Sequence, residues 1–390
     1  MQNFDFLSPT RIIFGKDTIQ KTGMEVSKYG KKALVVTGSG SIRRSGVYDT
    51  VTASLARAGV KYINFSGVQP NPRLSLVQEG IRICREQSID FLLALGGGSV
   101  IDTAKAIGAG TLYDGDVWDF YAGKLLPVRT LPVGVVLTIA AAGSEASKSS
   151  VISNQELGLK RGLNCEIIRP VFAILDPELT YTLPAYQTAC GVCDIMAHVM
   201  ERYFTNETGV DLTDRLCEST LVSVIQNTYR VLSDPRDYNA RAQLMWAGTL
   251  AHNDLLGTGR LGDFASHAIE HELSAINDVA HGAGLAIVFP AWMQFVYRHL
   301  PERFLQFAAR VFQIDPNFMD PDESIRAGID ALRSFFRRIG LPVTLKEIGI
   351  LPEQFPGIAK KCRKGPGGTV GNFVPLGEEE ILKILHLAAE

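Results

Sequence analysis

Several kinds of protein are excluded by what the chain lacks. Its longest mostly apolar run, Leu131 to Gly143, carries Thr138 and falls short of the roughly 20 residues that cross a bilayer. Neither sign of charge is in excess, since 39 Lys and Arg against 41 Asp and Glu leave a net −2. The basic footprint of a nucleic-acid binder is therefore missing. The opening MQNFDFLSPTRIIFGK has none of the charged-then-apolar pattern of a signal peptide, so the expected location is cytoplasmic. Cysteine is sparse, at 84, 165, 190, 193, 217 and 362. Cys190-Gly-Val-Cys193 has the C-x-x-C spacing of a redox pair or half a zinc site. A second pair is absent, and the motif runs straight into Asp194 and a helical pattern. Small buried residues near a helix start are the favoured reading.

Histidine is scarce too, and its placement is informative. Of seven, four are His198, His267, His271 and His281, with Asp194 four residues before the first. Residues at i and i+4 share a helix face, so Asp194 and His198 can point at one spot, and His267 and His271 repeat that spacing. Two such faces brought together would hold a divalent cation through nitrogen and oxygen, with no thiolate. Ordinary core or surface histidines are the competing reading, and the clustering weighs against it.

At 390 residues, 46% of them hydrophobic and 21% charged, the chain is a globular protein too long for one core. Its first half alternates strand and helix patterns. Strands are expected at 33–36, 60–65, 91–95 and 133–138, and helices at 45–58, 74–87 and 100–107, the last with Asp102 in its first turn. This alternation predicts a parallel sheet covered on both faces. After about Leu183 strand-like runs become scarce, and helices are expected at 185–201, 213–232, 240–253 and 301–312. The expected division is an α/β dinucleotide-binding domain over 1–185 and an all-α metal-binding domain over 186–390. Lys364-Gly-Pro-Gly-Gly368 reads as a solvent-exposed loop.

Gly96-Gly97-Gly98-Ser99 lies between a strand and a helix. Glycines there let backbone approach an anion, and the helix N-terminus offers unpaired N–H groups. The G-x-G-x-x-G fingerprint fails at Ile101, and no G-K-[ST] of a P-loop is present. A tight structural turn is an equal reading of this segment alone. Gly38-Ser39-Gly40-Ser41 after the first strand gives a second anion-tolerant turn, and two at one sheet edge favour a dinucleotide. Between Ala33 and Val47 there is no Asp or Glu, whereas Ser39, Ser41, Arg43 and Arg44 are present. That balance slightly favours NADP(H) over NAD(H), unless both arginines face solvent.

Longer motifs run through nearly the whole chain. They are Ser8-Pro-Thr-Arg-Ile-Ile-Phe-Gly15, Gly96-Gly-Gly-Ser-Val-Ile-Asp-Thr-Ala-Lys105 and Ala142-Gly-Ser-Glu145, then Cys193-Asp-Ile-Met-Ala-His-Val-Met-Glu201, Ala265-Ser-His-Ala-Ile-Glu-His-Glu-Leu273 and Ala280-His-Gly-Ala-Gly-Leu-Ala-Ile287. In this order they resemble the iron-containing, metal-dependent group III alcohol dehydrogenases, and among them the butanol dehydrogenase-like branch. The resemblance implies a dehydroquinate synthase-like fold, with the α/β domain followed by the helical one and a metal in the cleft between them. It implies Asp194, His198, His267 and His281 as metal ligands, for Fe²⁺ or also Zn²⁺, and a further active-site role for His271. A catalytic metal needs an open position, which five protein ligands would crowd. It further implies Gly97, Gly98 and Ser99 on the coenzyme diphosphate, Gly38, Ser39 and Ser41 towards the adenosine, and Asp102, Thr138 and Lys160 near the nicotinamide and its ribose. For Lys160 a salt-bridged surface lysine is the alternative.

Two departures stand out. Ala141-Ala142 replaces a common Gly-Thr before Gly-Ser-Glu, and Glu272 stands where many relatives carry proline. The latter favours the butanol dehydrogenase-like branch. The implied activity is interconversion of small primary alcohols and aldehydes with NAD(P)(H), by an expected homodimer. A dehydroquinate synthase-like lyase and a polyol (glycerol-type) dehydrogenase are the alternatives on the same fold, and a non-catalytic metal-binding protein is a third reading. The segments around the expected ligands are largely apolar, with Ile195, Met196, Phe264 and Leu285, which suits an alkyl alcohol better than a polyanion. His271, titrating near neutrality, is the candidate proton relay. His271→Ala is therefore expected to lower kcat far more than metal content; equal loss of both would make His271 a ligand.

Overall fold

The computed structural model describes residues 1–38, 40–362 and 368–390. Ser39 and residues 364–367 of the expected loop lie outside them. Among the described residues there are eight strands: β1 (Arg11–Phe14), β2 (Lys32–Gly38), β3 (Lys61–Val68), β4 (Phe91–Gly96), β5 (Val133–Leu137), β6 (Ser149–Asn154), β7 (Leu159–Asn164) and β8 (Phe172–Leu175). Six of them form one sheet in the order β1-β8-β5-β4-β2-β3, parallel throughout. The sequence explains why both of its faces are covered. In β2 and β4, Ala33, Val35, Leu93 and Leu95 enter one apolar cluster, while Leu34, Val36, Leu92 and Ala94 enter another. A strand buried on both sides reads as a continuous apolar run, which is what made these strands visible.

Helix α1 (Val47–Arg57) covers one face through Val51 and Leu55. Helices α2 (Leu74–Glu86) and α3 (Gly98–Thr111) cover the other through Val77, Ile81, Ile101 and Ile107. The chain leaves β2 outward to β3, then crosses back to β4 on the opposite side of β2. Neighbouring strands β2 and β4 thus diverge in connection, and such a reversal opens a crevice at the carboxyl ends of strands. Both glycine-rich turns follow these two strands. Helix α3 starts at Gly98, ahead of the expected 100, so Asp102 lies beyond its first turn.

The antiparallel hairpin β6–β7 is an addition to the expected elements, since polar contacts rather than an apolar pattern dock it. Asp102 accepts from the Ser144 hydroxyl at 2.6 Å and the Val151 N–H at 2.9 Å. Lys105, fully buried, donates to the carbonyls of Ser144 (2.6 Å), Ser147 (2.9 Å) and Ser149 (2.8 Å). Burial pushes its ammonium down to about 8, against the pull of Asp102 and Glu145. Burial likewise raises the Asp102 carboxyl, with Lys105 opposing.

Among the described residues nine further helices follow: α4 (Ala185–Tyr203), α5 (Asp211–Ser233), α6 (Tyr238–His252), α7 (Ala265–Asn277), α8 (His281–Val296), α9 (Pro301–Phe312), α10 (Pro321–Arg338), α11 (Phe355–Cys362) and α12 (Glu378–Leu387). None is long and apolar enough to cross a membrane. The chain divides into two compact units, Leu7–Leu183 with Asp234–Asn253, and Met1–Phe6 with Pro184–Ser233 and Asp254–Glu390. This differs from a single cut near 185 in two places. Helix α6 joins the sheet-bearing unit, where Thr249 donates to Glu145, His252 Nδ1 meets the Ala142 carbonyl at 2.7 Å, and Trp246 packs edge-on to Phe14. Residues 1–6 join the helical unit, where Met1 and Gln2 donate to the carbonyls of Thr208 and Gly259.

In the helical unit α8 is apolar all round and buried from Gly282 to Met293, as a central helix must be. Helices α4, α7, α10 and α12 pack around it. One prediction concerns the other unit. Lys105→Met would leave three buried carbonyls without their donor. It is expected to cost about 3–5 kcal/mol, read as a fall of roughly 10 °C in melting temperature.

Candidate active site

Four side chains from three helices of the helical unit face one another. Asp194 and His198 project from one face of α4, His267 from the first turn of α7, and His281 opens α8. From Asp194 Oδ1 the distances to Nε2 are 3.4 Å for His198, 3.7 Å for His281 and 4.0 Å for His267. Tetrahedral ligands about 2.1 Å from a common ion stand about 3.4 Å apart, close to these spacings. Asp194, His198 and His267 are buried, and His281 is half-buried. His267 Nε2 is buried and has no hydrogen-bond partner, while its Nδ1 lies 2.9 Å from Glu201 Oε1. The carboxylate accepts a hydrogen bond from Nδ1–H, so the other nitrogen presents a lone pair. A buried lone pair without a donor is costly, and a cation answers it. Neutral imidazoles with one carboxylate suit Fe²⁺ or Zn²⁺.

Local sequence explains the approach. A Cβ at Gly282 would stand 2.0 Å from the Cys190 carbonyl oxygen, so only glycine lets α8 begin this close to α4, one turn before Asp194. A Cβ at Gly284 would meet Glu270 Cγ at 2.7 Å, and Glu270 is hydrogen-bonded to His281 Nδ1. His271 follows His267 by one turn, with its ring centroid 5.7 Å from that of His281. Ligand atoms of Asp194, His267 and His281 lie within 4.8 Å of one another, and so do those of Glu270, His271 and His281.

The surroundings correct one expectation. Ile195, Met196 and Leu285 are fully buried and pack the helical core rather than lining a substrate site. Phe264 is 38% exposed, and its ring lies 5.9 Å from His267. Arg202, buried, donates to the His198 carbonyl at 2.7 Å and lies over the Phe264 ring. Burial raises the Cys190 thiol to about 11 and pushes that of Cys193 well above its usual value. Both are free thiols inside α4, without the lowered pKa that redox or zinc chemistry requires.

In the sheet-bearing unit, Gly97 caps α3 in an extended conformation, and Gly98 and Ser99 form its first turn, half-buried. A Cβ at Gly97 would stand 2.3 Å from Ile139 Cγ2, whereas one at Gly98 would meet nothing closer than 3.8 Å. The first therefore answers packing, and the second leaves backbone open to an anion. Gly38 ends β2, and Ser41 opens the turn Ser41–Arg44. Arg43 there stacks over Tyr48 at 3.9 Å, and Arg44 is exposed. The Thr138 N–H donates to the Gly96 carbonyl, which ties the ends of β4 and β5. Asp102 is engaged with the hairpin as described. Lys160, on β7, is buried, not a surface lysine, and its charge is felt at Asp102.

Sequence reading passed over two residues here. Glu201 and Glu270 are fully buried carboxylates set against His267 and His281. Each stands three residues after a histidine, His198 and His267, and that repeated His-x-x-Glu spacing was the available signal.

Known proteins share this architecture. The family model described as iron-containing alcohol dehydrogenase matches residues 9–177, and that for the C-terminal part of the Fe-containing family matches 188–389. A probable NADH-dependent butanol dehydrogenase 1 of Bacillus subtilis is 44% identical over 99% of both chains. The NADPH-dependent aldehyde reductase YqhD of Escherichia coli is 37% identical over 93% of this chain and 94% of its own. The crystal structure of an NADH-dependent butanol dehydrogenase A from Thermotoga maritima is 40% identical and superposes with a TM-score of 0.96 over 100% of this chain and 99% of that one. With family models matched along both halves and relatives aligned from end to end, the chain belongs to the iron-containing alcohol dehydrogenase family of nicotinamide-dependent oxidoreductases.

Proposed function

We propose that this chain interconverts small primary alcohols and aldehydes, of butanol and butanal size, by hydride transfer with NAD(H) or NADP(H). The convergence of His198, His267 and His281 on Asp194 Oδ1 carries the reading. Fe²⁺ is the ion we assign to these four side chains, with Zn²⁺ as a substitute of suitable chemistry. Asp194 contributes one negative charge and the imidazoles none, so the donor set leaves divalent charge incompletely neutralised. When bound, the ion supplies Lewis acidity towards the substrate oxygen, and the nicotinamide ring takes or returns the hydride. His271, half-buried beside His281, exchanges a proton at its ring as the substrate oxygen loses or gains one.

Gly97, Gly98 and Ser99 are assigned to the coenzyme diphosphate, with Gly38, Ser39 and Ser41 towards the adenosine. Thr138, Asp102 and Lys160 are assigned to the nicotinamide side. Use of both coenzymes follows from two opposed features. No carboxylate between 33 and 47 repels a 2′-phosphate, while Arg43 is already stacked on Tyr48, leaving Arg44 as the cation to receive one. Similar chains are named for either coenzyme. A lyase acting on a polyanion gains no support, since Arg202 is buried against His198 and Phe264.

The test compares initial rates of butanal reduction with NADH and NADPH, before and after chelation and refilling with Fe²⁺ or Zn²⁺. Stripping is expected to lower the rate by about a hundredfold or more, Fe²⁺ to restore it, and the two coenzymes to agree in kcat/KM within about tenfold. A stripped protein that still reduced butanal at the full rate would sink the proposal.

A further inference from the structure

The buried glutamates beside the histidines form a pattern that runs from helix to helix. Glu201 sits on α4 but serves His267 of α7, and Glu270 sits on α7 but serves His281 of α8. In both cases the glutamate stands three residues after a histidine of its own helix and orients the histidine of the next one. We infer that Glu201 and Glu270 are positioning residues that fix which imidazole nitrogen faces the metal, and that Glu201 is the less replaceable of the two. The inference rests on the ligand assignment proposed above.

The difference lies in what each carboxylate receives. Glu201 Oε1 accepts the His267 backbone N–H at 3.1 Å and meets its Nδ1 at 2.9 Å, and Oε2 accepts the Phe264 N–H. Every one of these partners is a donor. The same carboxylate caps the first turn of α7, whose free N–H groups need an acceptor, and holds Phe264 at a positive φ of 64°. An amide cannot replace it. One end of a glutamine would present an N–H to another N–H, or would demand an acceptor from His267 Nδ1. The second outcome moves the ring proton to Nε2, the nitrogen aimed at Asp194, where it blocks ligation.

The partners of Glu270 include one of a different kind. Oε2 meets His281 Nδ1, and Oε1 accepts from the Ser274 hydroxyl. That hydroxyl also lies 3.1 Å from the Val279 carbonyl, so it can donate there and accept from an amide instead. Glutamine at 270 therefore keeps its oxygen on His281 and its N–H₂ on Ser274, and the tautomer survives. Alanine at 270 would remove the orienting acceptor altogether.

The test measures Zn²⁺ affinity by competition with a chromophoric chelator, on chelator-stripped full-length protein, for wild type, Asp194→Asn, Glu201→Gln, Glu270→Gln and Glu270→Ala. Glu201→Gln and Glu270→Ala are each expected to weaken Zn²⁺ about 10–100-fold, with Glu270→Gln within about threefold of wild type. The melting temperature of each metal-free variant accompanies the affinity, since a merely structural role would not distinguish Gln from Ala at 270 by metal affinity alone. Wild-type affinity in Glu201→Gln, or equal loss in Glu270→Gln and Glu270→Ala, would overturn the inference. If Glu201→Gln does not fold, the two substitutions at 270 decide it. Full Zn²⁺ binding by Asp194→Asn would instead bring down the ligand assignment itself, whatever the glutamate variants do.

Discussion

A carboxylate buried among imidazoles is the constraint around which the helical unit is arranged. Asp194 cannot be hydrated where it sits, at 6% exposure, and a buried charge is tolerated only with compensating partners. Three histidine nitrogens approach it from α4, α7 and α8. Holding them there requires helices that nearly touch, hence Gly282 against the Cys190 carbonyl and Gly284 against Glu270. It also requires rings that cannot turn, hence carboxylates on the Nδ1 of His267 and His281. The apolar α8 then makes the arrangement rigid, since its core neighbours leave little room for a shift.

Under the proposed coenzyme site the sheet-bearing unit meets a different demand, which is to present backbone to an anion without losing its core. Continuous apolar strands bury both faces, while the turns after β2 and β4 lie at the reversal of connection where a crevice opens. Glycine at 97 and 98 serves two purposes at once, since one has no space for a Cβ and the other has space that a ligand could use. Beside this edge the hairpin β6–β7 is held by Asp102 and Lys105 rather than by apolar contact. A polar dock of that kind fixes one geometry more sharply than apolar packing does, because each donor needs its acceptor at a set distance.

How far the site was legible varied with the physics of each residue. The i,i+4 pair Asp194 and His198 and the cluster at 267–281 could be read because helical periodicity converts spacing into a shared face. Glu201 and Glu270 could not, because each acts on a different helix and no local rule gives the partner. The apolar character of Ile195, Met196 and Leu285 was legible, but its meaning was not. The same pattern describes a core position and a substrate wall, and their full burial assigns them to the core. Lys160 and Asp102 were likewise assigned through the resemblance, whereas Lys160's place on the hairpin and Asp102's contacts with it depend on β6 and β7, whose Ser149-Ser-Val-Ile-Ser-Asn154 and Leu159-Lys-Arg-Gly-Leu-Asn164 lack a clean alternation.

By itself, the sequence determined the alternating α/β first half, the helical second half, the glycine-rich turns and the residue types of the candidate metal site. Each of these follows from local periodicity or from the conformational freedom of glycine, which act over a few residues. Tertiary structure alone decided that α6 packs with the sheet-bearing unit, that a hairpin is docked by buried polar groups, and which buried carboxylate meets which histidine. Those outcomes depend on contacts between segments tens to more than a hundred residues apart, such as Thr249 with Glu145 and His267 with Glu201, and sequence spacing carries no information about distances closed only by folding.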